Sequence, residues 1–160
     1  MDYLFFVLLG DKMNTLYVMC GPSGSGKSTY IKENLRNCIV VSTDAIRKEL
    51  WGAEEDQQNP QEVFEIAYAR VELFLRAGYD VVFDATNLKA RDRKKVAKIA
   101  ERYGAKKNCI AMATSLGYCV LAQCARDRRV PTEVIESQFK RFQYPMLGEG
   151  WDEIRIIERI

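Results

Sequence analysis

Hydrophobic positions along this chain fall into two alternating patterns. Short, nearly unbroken apolar runs lie at 15–20 (TLYVMC), 38–42 (CIVVS), 80–85 (DVVFDA) and 108–114 (NCIAMAT), with a weaker one at 154–157. Such runs predict strands buried on both faces, as in a parallel sheet. Between them the spacing predicts helices over 27–35, 45–50, 61–77, 89–103, 118–126 and 132–144. Within 63–75, apolar residues at 63, 64, 66, 67, 71, 74 and 75 mark one helix face. Gly78 and Gly104 stand where a helix must stop before the next strand. The alternation predicts βαβ units in a three-layer α/β sandwich, with a mostly parallel sheet of four or five strands flanked by helices. No repeat or Pro/Ser-rich linker interrupts residues 13–160, so one domain is expected there.

The first strand runs into Gly21-Pro22-Ser23-Gly24-Ser25-Gly26-Lys27-Ser28, followed by Thr29 and a helix. This fits G-x-x-x-x-G-K-[ST] in the strand-to-helix context that the motif requires, and identifies a P-loop for a nucleoside triphosphate. Its glycines let backbone N–H groups turn towards phosphate oxygens, and the helix N-terminus adds partial positive charge. Lys27 is expected to reach the β- and γ-phosphates and the Ser28 hydroxyl to ligate Mg²⁺. An ordinary Gly/Ser turn is the plain alternative, and the flanking elements argue against it.

Ligands of open α/β sheets bind beyond the carboxyl ends of the strands, which singles out the residues there. After the second strand comes Thr43-Asp44-Ala45-Ile46-Arg47. Asp44 is placed to orient or deprotonate an acceptor hydroxyl, and Arg47, one turn on, to hold an anionic group on that acceptor. Asp44 as a helix N-cap, or Asp44–Arg47 as a surface pair, is the structural alternative. After the third strand comes Asp84-Ala85-Thr86-Asn87, with Asp84 a carboxylate near Mg²⁺, directly or through water. Its alternative is a cap for the following helix. Arg126-Asp127-Arg128-Arg129-Val130-Pro131 joins two predicted helices, the form of a lid that closes over a phosphate site. A solvated charge run at a helix C-terminus is the other reading.

In order, GPSGSGKS, STDAIR, VVFDATNL and RDRRVP resemble the polynucleotide kinase-like P-loop kinases, a family that includes the 5′-kinase domain of phage polynucleotide kinase. The resemblance covers residues 16–144. It implies a P-loop NTPase fold with a helical lid, ATP and Mg²⁺ as cofactors, and transfer of the γ-phosphate to a hydroxyl. By resemblance, Lys27 and Ser28 take the Walker A roles and Asp44 the general base. Arg47 matches the contact to an acceptor phosphate, Asp84, Thr86 and Asn87 the acceptor wall, and Arg126 the lid arginine on ATP. The connector before Pro131 is one residue shorter than in the phage enzyme, so Arg128 could take the lid role instead. A polynucleotide 5′-hydroxyl is the leading acceptor. A small metabolite or nucleoside-type hydroxyl is the alternative within kinases, and a non-catalytic ATP-binding module or toxin-like protein the alternative outside them.

Composition narrows this further. The chain of 160 residues has no histidine, which excludes Ser-His-Asp and Cys-His catalysis and every His-ligated metal site. Its net charge of +2 gives no global case for nucleic acid, so that case must be local. Residues 89–107 hold nine Lys or Arg against Asp92 and Glu101, a candidate contact for a nucleic-acid end. Residues 52–65 carry Glu54, Glu55, Asp56, Glu62 and Glu65 without a cation, which disfavours a long polyanion track there. Five cysteines without a C-x-x-C pair suggest reduced thiols and a cytoplasmic location. The run YLFFVLL within residues 1–12 is too short to span a bilayer, and Met13 is the expected start, residues 1–12 being an extension.

Overall fold

A computed structural model describes residues 13–54, 58–125 and 129–159. The expectation about residues 1–12 lies outside them, as do Glu55, Asp56, Arg126 and Arg128. The order of elements is β1 (Thr15–Cys20), α1 (Lys27–Asn34), β2 (Ile39–Ser42), α2 (Thr43–Trp51), α3 (Pro60–Arg76) and β3 (Val81–Asp84). It continues with α4 (Ala90–Arg102), β4 (Lys106–Thr114), α5 (Leu116–Cys124), α6 (Thr132–Arg141) and β5 (Glu153–Arg159). The five strands form one sheet in the order β2-β3-β1-β4-β5, and every neighbouring pair is parallel. No helix among the described residues is long and apolar enough to cross a membrane.

Strand pleat assigns each apolar side chain to a layer. Leu16, Val18 and Cys20 point to one face and pack with Val63, Ala67 and Val71 of α3 and Val96 and Ala100 of α4. Met19 points to the other face and packs with Tyr30 and Ile31 of α1 and with Ile110 and Met112. Both clusters are buried, so the inner strands read as unbroken apolar runs. β5 is an edge strand with alternating charge, and it extends beyond the weak 154–157 signal because main-chain pairing with β4 outweighs composition there.

Most predicted helix ends shift by one to three residues, and two of the shifts have a visible cause. The last helix does not reach residue 144. It stops at Arg141, where Phe142 turns extended, and the Gln143 N–H donates to the Leu88 carbonyl at 2.8 Å. Helix α2 starts two residues earlier than expected, because the Ser42 hydroxyl accepts from the Ala45 N–H at 3.4 Å and serves as N-cap.

The basic stretch 89–107 does not form one face. The crossover helix α4 leaves the carboxyl end of β3 and delivers the chain to the start of β4, so Lys98, Arg102, Lys106 and Lys107 lie towards the opposite edge of the sheet. Arg93 is wholly buried. It grips the Glu149 carboxylate through two bonds of 2.9 and 2.7 Å and donates to the carbonyls of Asn87 and Gln143 at 3.1 and 2.8 Å. Trp151 Nε1 and the Met146 N–H complete the Glu149 carboxylate, each at 3.1 Å.

Glu149→Ala leaves the Arg93 guanidinium buried without its counter-charge, an arrangement that costs about 3–5 kcal/mol. Thermal melting should therefore fall by roughly 10 °C in a domain of this size. Burial alone would raise the Glu149 carboxyl, but its bonds to Arg93 and Trp151 bring it below the usual range. Its contribution is full above the ordinary glutamate range and fades as pH falls through the lowered value. An acid melting series should show that loss in the wild type and not in Glu149→Ala.

Candidate active site

The carboxyl ends of β1, β2 and β3 converge on a cleft of about 520 Å³. Its floor is the loop between β1 and α1. That loop is sutured to its surroundings: the Gly21 N–H donates to the Thr86 carbonyl at 2.9 Å, and Thr114 Oγ1 donates to the Ser25 carbonyl at 3.0 Å. From the helical side, the Ser23 N–H donates to Gln138 Oε1 at 2.7 Å, tying the loop to α6.

The loop has room for glycine and little else at its centre. Gly24 sits at φ +81°, and a Cβ there would stand 2.5 Å from the Cys119 carbonyl and from Gln123 Nε2. Gly26 adopts φ 94° as the residue that opens α1. The N–H groups of Gly21, Ser23 and Ser25 are spent on Thr86, Gln138 and Pro22, which leaves the N-terminal end of α1 as the part of the loop that can meet an anion. Lys27 Nζ donates to the carbonyls of Gly21 and Pro22 at 2.8 and 2.9 Å. Desolvation pushes its ammonium below the ordinary lysine range, while the Asp84 and Asp44 carboxylates oppose that shift. Both carboxylates are thus close enough to feel its charge.

Asp84, Thr86, Asp44, Arg47 and Ser28 all line the same cleft as Lys27. Ser42 caps α2, so capping does not explain Asp44. Arg47 donates to Asp44 at 2.6 Å; its side chain is 10% exposed, against 49% for Asp44. Arg47 Nε is buried and has no hydrogen-bond partner among the described residues. Ser25 Oγ is likewise buried and unpartnered, at the back of the loop. A buried donor left unmet in a polar cleft is strained unless a ligand supplies an acceptor.

Other expected residues fall differently. Gly21, Pro22 and Ser25 shape the loop without lining the cleft, and Thr29 is exposed outside it. Asn87 is turned away: it is buried at φ 44°, with Nδ2 donating to the Met19 carbonyl at 2.7 Å. It is a strut between β1 and the β3 end rather than part of the acceptor wall. Of the connector arginines, Arg126 and Arg128 lie outside the described residues, while Arg129 lines the cleft. Arg129 belongs to the RDRRVP connector, although the resemblance pointed to Arg126 or Arg128, while Gln138 and Thr114 had no motif to mark them. The only signals were the i,i+4 spacing of Val134 and Gln138, which both face the cleft, and the placement of Thr114 at a strand end.

The donor set fits a nucleoside triphosphate with Mg²⁺. Among the described residues no group of three or more carboxylate or thiol side chains forms a self-contained metal site. Mg²⁺ needs none, since one or two protein oxygens, phosphate oxygens and waters complete its octahedron. Ser28 and Asp84 are the oxygens available beside Lys27.

Residues 16–145 match the sequence profile of the AAA domain family, well over half of the chain. The chain belongs to the AAA domain family. Solved structures with the same fold include a candidate kinase from Chloroflexus aurantiacus, 17% identical, at a TM-score of 0.72, with 93% of this chain and 87% of that one covered. A protein of the Pnkp1/Rnl/Hen1 RNA repair complex superposes at a TM-score of 0.74 with 21% identity, covering 88% of this chain and 47% of that chain. A gluconokinase from Sinorhizobium meliloti superposes at 0.60 with 19% identity, covering 91% and 83%. At these identities the likeness establishes the fold alone, an α/β P-loop sandwich with a five-stranded parallel sheet.

Gly24→Ala tests the loop of the AAA domain. Its Cβ meets backbone at 2.5 Å and its φ is positive, so strain of about 1–3 kcal/mol is expected. Melting should drop by several degrees. The stabilisation that ATP and Mg²⁺ give the wild-type protein in the same melt should disappear.

Proposed function

We propose that the chain is an ATP- and Mg²⁺-dependent phosphotransferase acting on a hydroxyl, with a polynucleotide 5′-hydroxyl as acceptor. The observation that carries this reading is the Asp44–Arg47 pair. It lines the cleft opposite the P-loop, is not engaged in capping, and leaves a buried guanidinium N–H unmet. A module that only bound nucleotide would have no use for that pair.

In this reading the N-terminal end of α1 and Lys27 hold the β- and γ-phosphates, and Ser28 and Asp84 hold Mg²⁺, directly or through water. Bound there, Mg²⁺ neutralises charge on the transferring group. Asp44 orients the acceptor O–H and accepts its proton as the oxygen bonds to phosphorus. The bond from phosphorus to the β–γ bridging oxygen breaks, and ADP departs with that electron pair. A cation from the connector offsets charge on the transferring group, with Arg129 already at the cleft and Arg126 or Arg128 as the resemblance has it. Arg47 meets an anionic group carried by the acceptor; the phosphate next to a terminal nucleotide suits its fork. The alternative acceptor is a small hydroxylated acid, whose carboxylate would satisfy the same Arg47 donors.

Transfer of labelled γ-phosphate, screened over 5′-hydroxyl RNA and DNA, nucleosides, sugars and sugar acids, tests the reading. Label on oligonucleotide ends is the expected outcome, whereas label only on a sugar acid would move the acceptor to the small-molecule class. Lys27→Ala should abolish most transfer with the fold intact; full activity would overturn the kinase reading.

Asp44→Asn separates base from structure. Asp44 is half-exposed and an asparagine oxygen can still accept from Arg47, so stability should move by less than about 1 kcal/mol, while transfer falls about 10²-fold or more. Arg47→Ala should instead act mainly on acceptor KM, most strongly for acceptors with a neighbouring phosphate.

A further inference from the structure

Gln143 sits where three parts of the chain meet, and what it presents has no role in the core. Its N–H donates to the Leu88 carbonyl at 2.8 Å, its side-chain oxygen accepts from the Ala90 N–H at 3.1 Å, and its carbonyl accepts from Arg93 at 2.8 Å. Arg93 is in turn locked by Glu149. The short segment around Gln143 is therefore fixed from both sides. On either side of it stand Phe142 and Tyr144, with ring centroids 4.8 Å apart. Phe142 packs against the core, whereas Tyr144 is 49% exposed. Met146 and Leu147 beside it are more exposed still. A rigid strap that holds an aromatic ring out into water calls for an explanation other than packing.

Position supplies one. Val134 and Gln138 line the cleft from α6, which ends three residues later at Arg141, with Phe142 extended beyond it. From the other side, Thr86 lines the cleft two residues before Leu88, to which Gln143 is bonded. The aromatic pair thus stands where the end of α6 and the β3–α4 loop meet, beside two elements that line the cleft and outside its lining. Charge points the same way. Lys89, Arg91 and Lys94 stand in the first turns of α4 and Lys140 and Arg141 in the last turn of α6, and all five reach the surface. Asp92 is the one carboxylate in residues 89–94 and 137–141, and it lies 3.5 Å from Arg91.

We propose that Tyr144, backed by Phe142 and flanked by these cations, is a stacking platform for a base of a single-stranded polynucleotide whose 5′ end enters the cleft. An aromatic face takes any base, and cations beside it track the phosphate backbone, so the platform grips length and strandedness rather than sequence. This rests on the polynucleotide reading of the acceptor and deepens it. It also reassigns the basic stretch: the early part of α4 contributes to the surface, with α6 as its partner, and the late part does not.

The test is equilibrium binding of a fluorescein-labelled, single-stranded 10-nucleotide oligomer, read by anisotropy and independent of catalysis. Tyr144→Ala should weaken binding roughly 10- to 100-fold, and Tyr144→Phe should restore most of it. Lys140→Ala should weaken it and lower the salt slope by about one. Tyr79, equally exposed but at the opposite edge of the sheet, is the control, and Tyr79→Ala should bind as the wild type does. Wild-type affinity in Tyr144→Ala would overturn the platform while leaving the polynucleotide reading intact. Failure of the wild type to bind any oligomer would overturn both. Binding that depends on Tyr144, without transfer to the oligomer, would uphold the platform and overturn the acceptor assignment.

Discussion

Parallel pairing of β1 between β3 and β4 is the constraint on which the cleft depends. Val18 is in register with Phe83 on one side and Cys109 on the other, so β1 is held by β4 over its whole length and by β3 from Leu16 to Val18. The loop that leaves it begins at the centre of the sheet, between the ends of its two neighbours. The Gly21 N–H can then reach Thr86, and Thr114 can reach Ser25. With both ends stapled, the loop is held in its positive-φ conformations by bonds within the protein. Preorganisation of that kind is worth most in a partly desolvated site, where turning dipoles after binding would be expensive.

The same strand order explains why the two carboxylates meet the lysine. Ser42 pairs with Asp84 across β2 and β3, so the chain leaves both strands at one level. Asp44 follows on the first turn of α2, and Asp84 ends β3 itself. Their opposing charges draw on Lys27 against the desolvation that lowers it. Neither carboxylate is near the other in sequence. Crossover helices on the sheet faces return each strand to the same edge, and this brings the forty residues between them back to one point.

A second organising contact lies outside the cleft. Arg93 joins the β3–α4 loop, the strap after α6 and the turn before β5 through one buried guanidinium. Its burial is supported because Glu149, two carbonyls and Trp151 complete the set of charges and donors around it. The strap would otherwise be a free tail of α6, and the orientation of Phe142 and Tyr144 follows from it. Read in sequence, Arg93 is one of nine cations in a run and looks solvated.

Much was legible from local pattern. Period and composition placed the five strands and six α-helices of the described residues, because buried parallel strands need unbroken apolar runs and flanking helices need one apolar face. The P-loop was legible because its glycines and lysine answer to phosphate geometry that any fold must respect. That Asp44, Arg47, Asp84 and Thr86 share one cleft was legible because this architecture gathers the residues that follow its strands. What a linear pattern cannot carry is which partner a polar side chain finds. Asn87 turned inward to Met19, Arg93 sank against Glu149, and Ser42 took the cap that would have explained Asp44 away. Each outcome depends on a group 3 to 68 residues distant. Hydrophobic periodicity is a property of one element and survives in sequence. A hydrogen bond between elements exists only once the sheet order is set, and that order was decided by tertiary packing.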